Sequence, residues 1–253
     1  MFSLTFPLAI LSAISGLGIQ IVLGPLNTFM LGFSESVSGA TGLVTAFFTA
    51  AAAVFIIHLS GHTPVNISFA IIIALGATIG ALFTIQYSTI RIFLNFRRVA
   101  LSITILISLM LIRTLFSRHI GGPISMGPDW LLAHPALNAV LIGLLVGSFS
   151  TLFQIPSGAI LIPALYWLSP ANESSVQIIT TSLIVIIFAG LLPTLTRATL
   201  VNREYGKSMI IAGIIGGGIG GFILNMTSSS PAPLVISCIL SMFLCAWQAY
   251  RIS

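Results

Sequence analysis

Charge is what this sequence has least of. Only 5% of its 253 residues are charged, nine Lys+Arg and four Asp+Glu, where soluble domains carry about a quarter. That shortage excludes an ordinary soluble domain. Carboxylates are scarcest: Glu35, Asp129, Glu173 and Glu204 all fall in connectors between apolar runs. None is available within a span to relay protons or cations, which argues against a typical cation-coupled carrier. The two cysteines, Cys238 and Cys245, share the last apolar run and read as buried packing, not as a disulfide or metal site. The four histidines lie at segment ends or in connectors, with no His/Asp/Glu cluster. No metal, no cofactor and no intramembrane enzyme is expected. Strand-like alternation is missing too, which excludes an outer-membrane barrel.

What the chain has in quantity is hydrocarbon. Hydrophobic residues make up 57%, and the mean hydropathy is +1.15. Eight apolar segments stand out, at roughly 6–33, 39–58, 67–86, 99–117, 136–168, 177–196, 208–225 and 233–250. A membrane helix needs about 20 such residues, so the class is an all-α polytopic membrane protein. The basic residues sit in short connectors, where they set topology; the lipid bilayer is a partner and nucleic acid is not. The apolar start lacks the basic region of a cleavable signal peptide. Triplets of the form N-x-S/T at Asn66, Asn172 and Asn225 are too common by chance to mark glycosylation.

Landmarks recur along the chain. Gln20-Ile21-x-x-Gly24 returns as Gln154-Ile155-x-x-Gly158, Thr41-Gly42-Leu43 as Thr181-Ser182-Leu183, Gly76-x-x-x-Gly80 as Gly216-x-x-x-Gly220, and Arg113 as Arg251. The offsets stay between 134 and 140 residues. Residues 1–118 therefore read as a first transmembrane repeat, 119–135 as a Gly/Pro-rich connector and 136–253 as a second repeat. The first segment of each repeat is too long for one span and carries breakers: Gly24-Pro25, and Pro156-Ser157-Gly158 followed by Pro163. Proline removes a backbone donor, and unpaired backbone survives at membrane depth only against protein or a watery cavity. Each first segment is then a broken or re-entrant helix, spanning once or turning back. If both turn back, the repeats are inverted. Arg91, Arg97, Arg98, Arg197, Arg203, Lys207 and Arg251 then share one side, with Arg113 and Arg118 opposite. Seven against two favours turning back, with both termini cytoplasmic in the cell inner membrane.

The second repeat reads QIPSGAILIPALYW, then IITTSLIVII, a basic turn RATLVNREYGK and the Gly-rich IAGIIGGGIGGFIL. This succession resembles the TauE/SafE sulfite-exporter family, also called the toluene-sulfonate uptake permeases. The first repeat lacks the closing proline and has Thr41-Gly42-Leu43 in place of Thr-Ser-Leu. The resemblance implies a secondary transporter, an exporter, of sulfite or organosulfonates. A rival resemblance is fainter: GPLNTFMLGFSESVSG is similar to one branch of the small-repeat drug/metabolite exporters, which would imply continuous spans and another small organic substrate.

The candidate site follows from the breaks. Half-helix N-termini present free N–H groups and a positive dipole end, which suits a small anion where no basic side chain is at hand. Facing breaks would set such ends near the bilayer midplane. Gln20, Gly24 and Asn27 in one repeat, and Gln154, Ser157 and Gly158 in the other, would add donors or close backbone approach. The bland alternative is that they satisfy broken backbone. Thr41, Thr45, Thr180, Thr181 and Ser182 form a second set that would line the site or bond their own helix. His58 and Arg197 end the second segments, as anchors or as a vestibule with proton coupling. The glycine run Gly213 to Gly221, with Gly76 and Gly80, serves close packing within the chain or in a homodimer.

Overall fold

A computed structural model describes residues 1–61, 66–87, 101–113, 134–153, 157–168, 174–227 and 230–252. Every regular element among them is helical. The helices are α1 (Phe2–Ser15), α2 (Gln20–Leu31), α3 (Glu35–Leu59) and α4 (Ile67–Tyr87), then α5 (Leu101–Arg113). They continue with α6 (Pro135–Phe153), α7 (Ser157–Leu168), α8 (Ser175–Arg197), a 3-10 turn at Ala198–Leu200, α9 (Arg203–Met226) and α10 (Ala232–Ile252). Three stretches, Ser36–Leu59, Ile67–Thr84 and Arg203–Met226, are long and apolar enough to cross a membrane. Side chains such as Phe29, Phe55, Phe83 and Phe243 stand more than half exposed. In a bilayer that belt is solvated by lipid.

The first apolar segment is two helices, but the chain does not break where its proline stands. α2 runs unbroken through Gly24-Pro25. The interruption is at residues 16–19, where Gly16 (φ 67°) and Gly18 (φ 84°) are both left-handed. A left-handed residue ends a helix, and glycine adopts it without steric cost. A proline costs one hydrogen bond and some room, and packed neighbours absorb that: Pro7 and Pro163 also lie inside helices. Beside Pro25, the Gly24 carbonyl accepts from the hydroxyls of Ser38 and Thr28. In the fifth apolar segment, residues 154–156 lie outside the described residues, and α7 opens at Ser157.

Glycines set the long packing seams and reveal helix direction. A Cβ on Gly216 would lie 2.7 Å from the Phe6 carbonyl oxygen, and one on Gly220 2.7 Å from that of Ile10. Residue numbers rise together, so α9 runs parallel to α1. Gly213 meets Thr49 and Gly221 meets Ala53, so α9 also runs parallel to α3. On the other side Gly76 meets Val140 and Gly80 meets Ser148, making α4 parallel to α6. Short connections at 60–66 and 198–202 make α4 antiparallel to α3 and α8 antiparallel to α9. Hence α1, α3 and α9 start at one end of the bundle, where α2, α4 and α8 finish. Ala9 and Leu23 share one buried cluster with Ile19 and Ala46, and α2 itself packs against α3. The glycine face of α9 is thus spent on α1 and α3 of the same chain.

Candidate functional site

The interruption at 16–19 is covered from the other half of the molecule. The Gly16 carbonyl accepts a hydrogen bond from the Ser182 hydroxyl of α8 at 2.9 Å. Gly158, at the start of α7, packs so closely on residues 16–17 that a Cβ there would come within 2.7 Å of Leu17 Cα. The start of α7 and the middle of α8 therefore both close on residues 16–17. Removing the Ser182 hydroxyl strands a buried carbonyl. Ser182→Ala is expected to destabilise by about 1 kcal/mol, the scale of interhelical hydrogen bonds in membranes. Thermal unfolding in detergent checks this, with Ser182→Thr as the control that keeps the donor.

A cavity of about 200 Å³ lies beside the starts of α2 and α7. Gln20 and Ser157, the first residues of α2 and α7, both line it. Its other walls come from α3 (Leu43, Phe47), α4 (Ala77 to Leu82), α6 (Val146 to Ser150) and α8 (Val185 to Gly190). Those α3, α4 and α8 residues cluster at and just past the middle of their helices: Phe47, Ala77 and Ile186 are the midpoints. No charged side chain is among the described lining residues. Two helices begin at its lining residues, and a helix N-terminus is equivalent to about half a positive charge. The volume is below the roughly 300–1,000 Å³ of clefts that take drug-sized molecules, and it suits a small ion.

The expected residues divide. Gln20 and Ser157 come together at the cavity, and Gly158 makes the close approach behind it. Asn27 is on the same face of α2, two turns on, and is wholly buried. It is not among the described lining residues, and neither side-chain atom has a hydrogen-bond partner among the described residues. Gly24 is half-buried, and a Cβ there would meet nothing within 4 Å. Gln154 lies outside the described residues. The hydroxyls turn mostly to their own helices: Thr41, Thr45 and Thr181 each donate to the carbonyl four residues back at 2.8 Å, and Thr180 does so at 2.6 Å. Thr41 also accepts from the Asn202 amide at 3.3 Å, and Thr45 packs against Gly213. His58 is exposed in the last turn of α3, at the bundle end opposite Arg197, where α8 finishes.

Two lining hydroxyl residues escaped the sequence reading, Thr78 and Ser150. Thr78 stands between Gly76 and Gly80, which read as a packing seam, and its own hydroxyl bonds the Ala74 carbonyl at 2.9 Å. Its small neighbours were the available signal, because a seam made of glycines leaves the next face of the helix free to bound a space. Among the described residues no group of three or more metal-ligating side chains occurs.

Comparison with curated proteins and with solved structures finds no match. A family model does match, that of the sulfite exporter TauE/SafE family, over residues 1–192. The match takes in α1 to α7, the cavity and most of α8. With three-quarters of its length matched, this chain, a multi-pass helical membrane transporter of the sulfite-exporter type, belongs to the TauE/SafE family.

Proposed function

We propose that the protein exports a small sulfur-containing anion, sulfite or a short sulfonate, through the cavity between α2 and α7. One observation carries this reading: the first residues of two short helices, Gln20 and Ser157, line one small cavity with no charged side chain among its described lining residues. An oxyanion there accepts hydrogen bonds from the Gln20 amide, the Ser157 hydroxyl and the unpaired first-turn N–H groups. It meets two positive dipole ends and no fixed countercharge, so it is held and can still leave. Charge-assisted hydrogen bonds of this kind contribute about 1.5–3 kcal/mol each. Asn27, buried and without a partner among the described residues two turns along the same face of α2, lies toward the cytoplasmic end and is the donor met on the way in.

The architecture behind this reading is two inverted repeats, 1–118 and 136–253, each opening with a re-entrant helix pair. Two facts support it: the parallel seams α4–α6 and α1–α9 exchange partners between the halves, and α1 and α2 start and finish at one end. The termini and the end carrying Arg203 and Lys207 are then cytoplasmic, in the cell inner membrane. The cavity lies near the middle of α3, α4 and α8, where a substrate loaded from the cytoplasmic end would rest. Movement between the two halves gives access to the opposite side.

Binding to purified protein in lipid nanodiscs tests the site, using sulfite and methanesulfonate against chloride and nitrate. The expected result is that sulfur anions bind, and that Gln20→Ala and Ser157→Ala each weaken them by roughly tenfold or more. Absence of sulfur-anion binding, or wild-type affinity in both variants, overturns the site.

A further inference from the structure

Thr78 lines the anion cavity from the middle of α4, together with Gln20 and Ser157. A threonine hydroxyl carries one proton and two acceptor lone pairs. In Thr78 that proton is spent: Oγ1 donates to the Ala74 carbonyl at 2.9 Å, one turn back in the same helix. Toward a ligand this hydroxyl can therefore only accept. Gln20 differs, because its amide has a donor end and an acceptor end, and the Ser157 hydroxyl can give or take. At the α4 wall the helix itself has fixed the polarity.

An acceptor is a poor neighbour for a bare oxyanion, whose oxygens also only accept, so that lone pairs face lone pairs. The same acceptor stabilises an anion that brings a donor of its own. Charge points the same way. None of the described lining residues, on α2, α3, α4, α6, α7 or α8, is cationic or titratable. The cost of taking an ion out of water grows with the square of its charge, and no fixed cation here offsets it for a dianion. A monoanion that carries a proton suits both conditions. Of the two forms of sulfite in water near neutral pH, hydrogensulfite is that monoanion, and its hydroxyl is the donor.

We propose that Thr78 is a specificity-determining residue that accepts a hydrogen bond from the substrate, so that the site selects a monoanion with its own donor, hydrogensulfite over the sulfite dianion. The inference rests on the anion site proposed above and names the protonation state that this site takes. The proton then crosses on the substrate, and no side chain at the cavity has to relay it.

Sulfamate and methanesulfonate provide the test, since these two monoanions have nearly the same shape and differ by an amino group against a methyl. Equilibrium binding of both to the full chain in nanodiscs gives their affinity ratio, in which a general change to the cavity cancels. Thr78→Val keeps the shape and removes the acceptor. It is expected to lower the sulfamate-to-methanesulfonate ratio by roughly threefold to tenfold, the worth of one hydrogen bond. Thr78→Ser keeps the hydroxyl and should keep the wild-type ratio. Thermal unfolding checks that each variant is folded, and Thr78→Ala takes the place of the valine if that one is not. In wild type, affinity for total sulfite should rise as the solution is acidified and the dianion takes up its proton, while both reference ions stay flat. A ratio that does not fall in Thr78→Val, or falls as far in Thr78→Ser, overturns the acceptor role while the anion site stands. A sulfite affinity that is flat or declines on acidification overturns hydrogensulfite as the bound species. If no sulfur anion binds, the anion site and this inference fall together.

Discussion

Gly158→Ala is expected to damage this protein more than loss of any one polar side chain in the cavity. The added methyl meets backbone and not a side chain that turns away: Leu17 Cα would lie 2.7 Å from it, with the Gly16 carbonyl closer still. Overpacking costs about 1–3 kcal/mol even where side chains adjust, and here α7 must draw back from residues 16–17. That movement takes Ser157 with it and separates the two helix starts. A markedly lower Tm and at least a tenfold loss of sulfite affinity should appear together. Gly24→Ala is the internal control. A Cβ at Gly24 meets nothing within 4 Å, and alanine gains about 0.5–1 kcal/mol over glycine inside a helix. It should melt at or above wild type and bind sulfite normally. Should Gly158→Ala melt with wild type, the closeness of α7 to the interruption does not set the site. Should Gly24→Ala lose binding, the substrate approaches α2 one turn deeper than proposed here.

The two members of that comparison also mark what could be read from the sequence. Helical class was legible, because hydrocarbon runs are strong local signals. Gln20 and Ser157 stand out as polar residues inside such runs, and they line one cavity, although the sequence pairs Gln20 with Gln154. The position of the first interruption was not legible. Sequence reading favours the Gly-Pro pair, since proline is the stronger breaker in isolation. In the folded chain Ser38 of α3 donates to the Gly24 carbonyl and Gly42 packs within ordinary contact of Gln20, so tertiary packing carries the proline. The true stop signal, Gly16 and Gly18 two apart, is written in backbone dihedral preference, which glycine permits without announcing.

Thr41 and Thr45 were misleading for a related reason. A hydroxyl near a helix start has two uses, and the choice depends on which helix arrives opposite. Here α9 arrives with Gly206 near Thr41 and Gly213 against Thr45, and both threonines bond their own helix's carbonyls and serve as a packing face. Thr78 had the same choice and came out differently, because α4 meets α6 through Gly76 and Gly80 on the neighbouring face and leaves Thr78 at the cavity wall. Which threonine faces the cavity is a property of helix pairing, and pairing between helices distant in sequence leaves no local trace.

Gln20→Glu isolates the electrostatic part of the proposed site. The substitution conserves shape, so packing around the helix start is unchanged, and a carboxylate in the first turn of α2 is favourable to the helix itself by a few tenths to about 1 kcal/mol. Stability should therefore hold or rise. Binding should collapse, because the introduced charge occupies the positive end that an anion needs and repels it directly. Two like charges about 4 Å apart at an effective dielectric of about 20 interact by roughly 4 kcal/mol; with screening, a loss of at least a hundredfold is expected, against roughly tenfold for Gln20→Ala. The sign with pH follows. Lowering the pH protonates the introduced carboxylate, removes the repulsion and restores a donor, so affinity in the variant should recover as the solution is acidified while wild type stays flat. Methanesulfonate is the ligand for this experiment, since it remains ionised throughout, whereas sulfite takes up a proton of its own. Dissociation constants for both proteins across that pH range provide the measurement. A variant that binds methanesulfonate like wild type at neutral pH would mean that the anion does not sit at the start of α2.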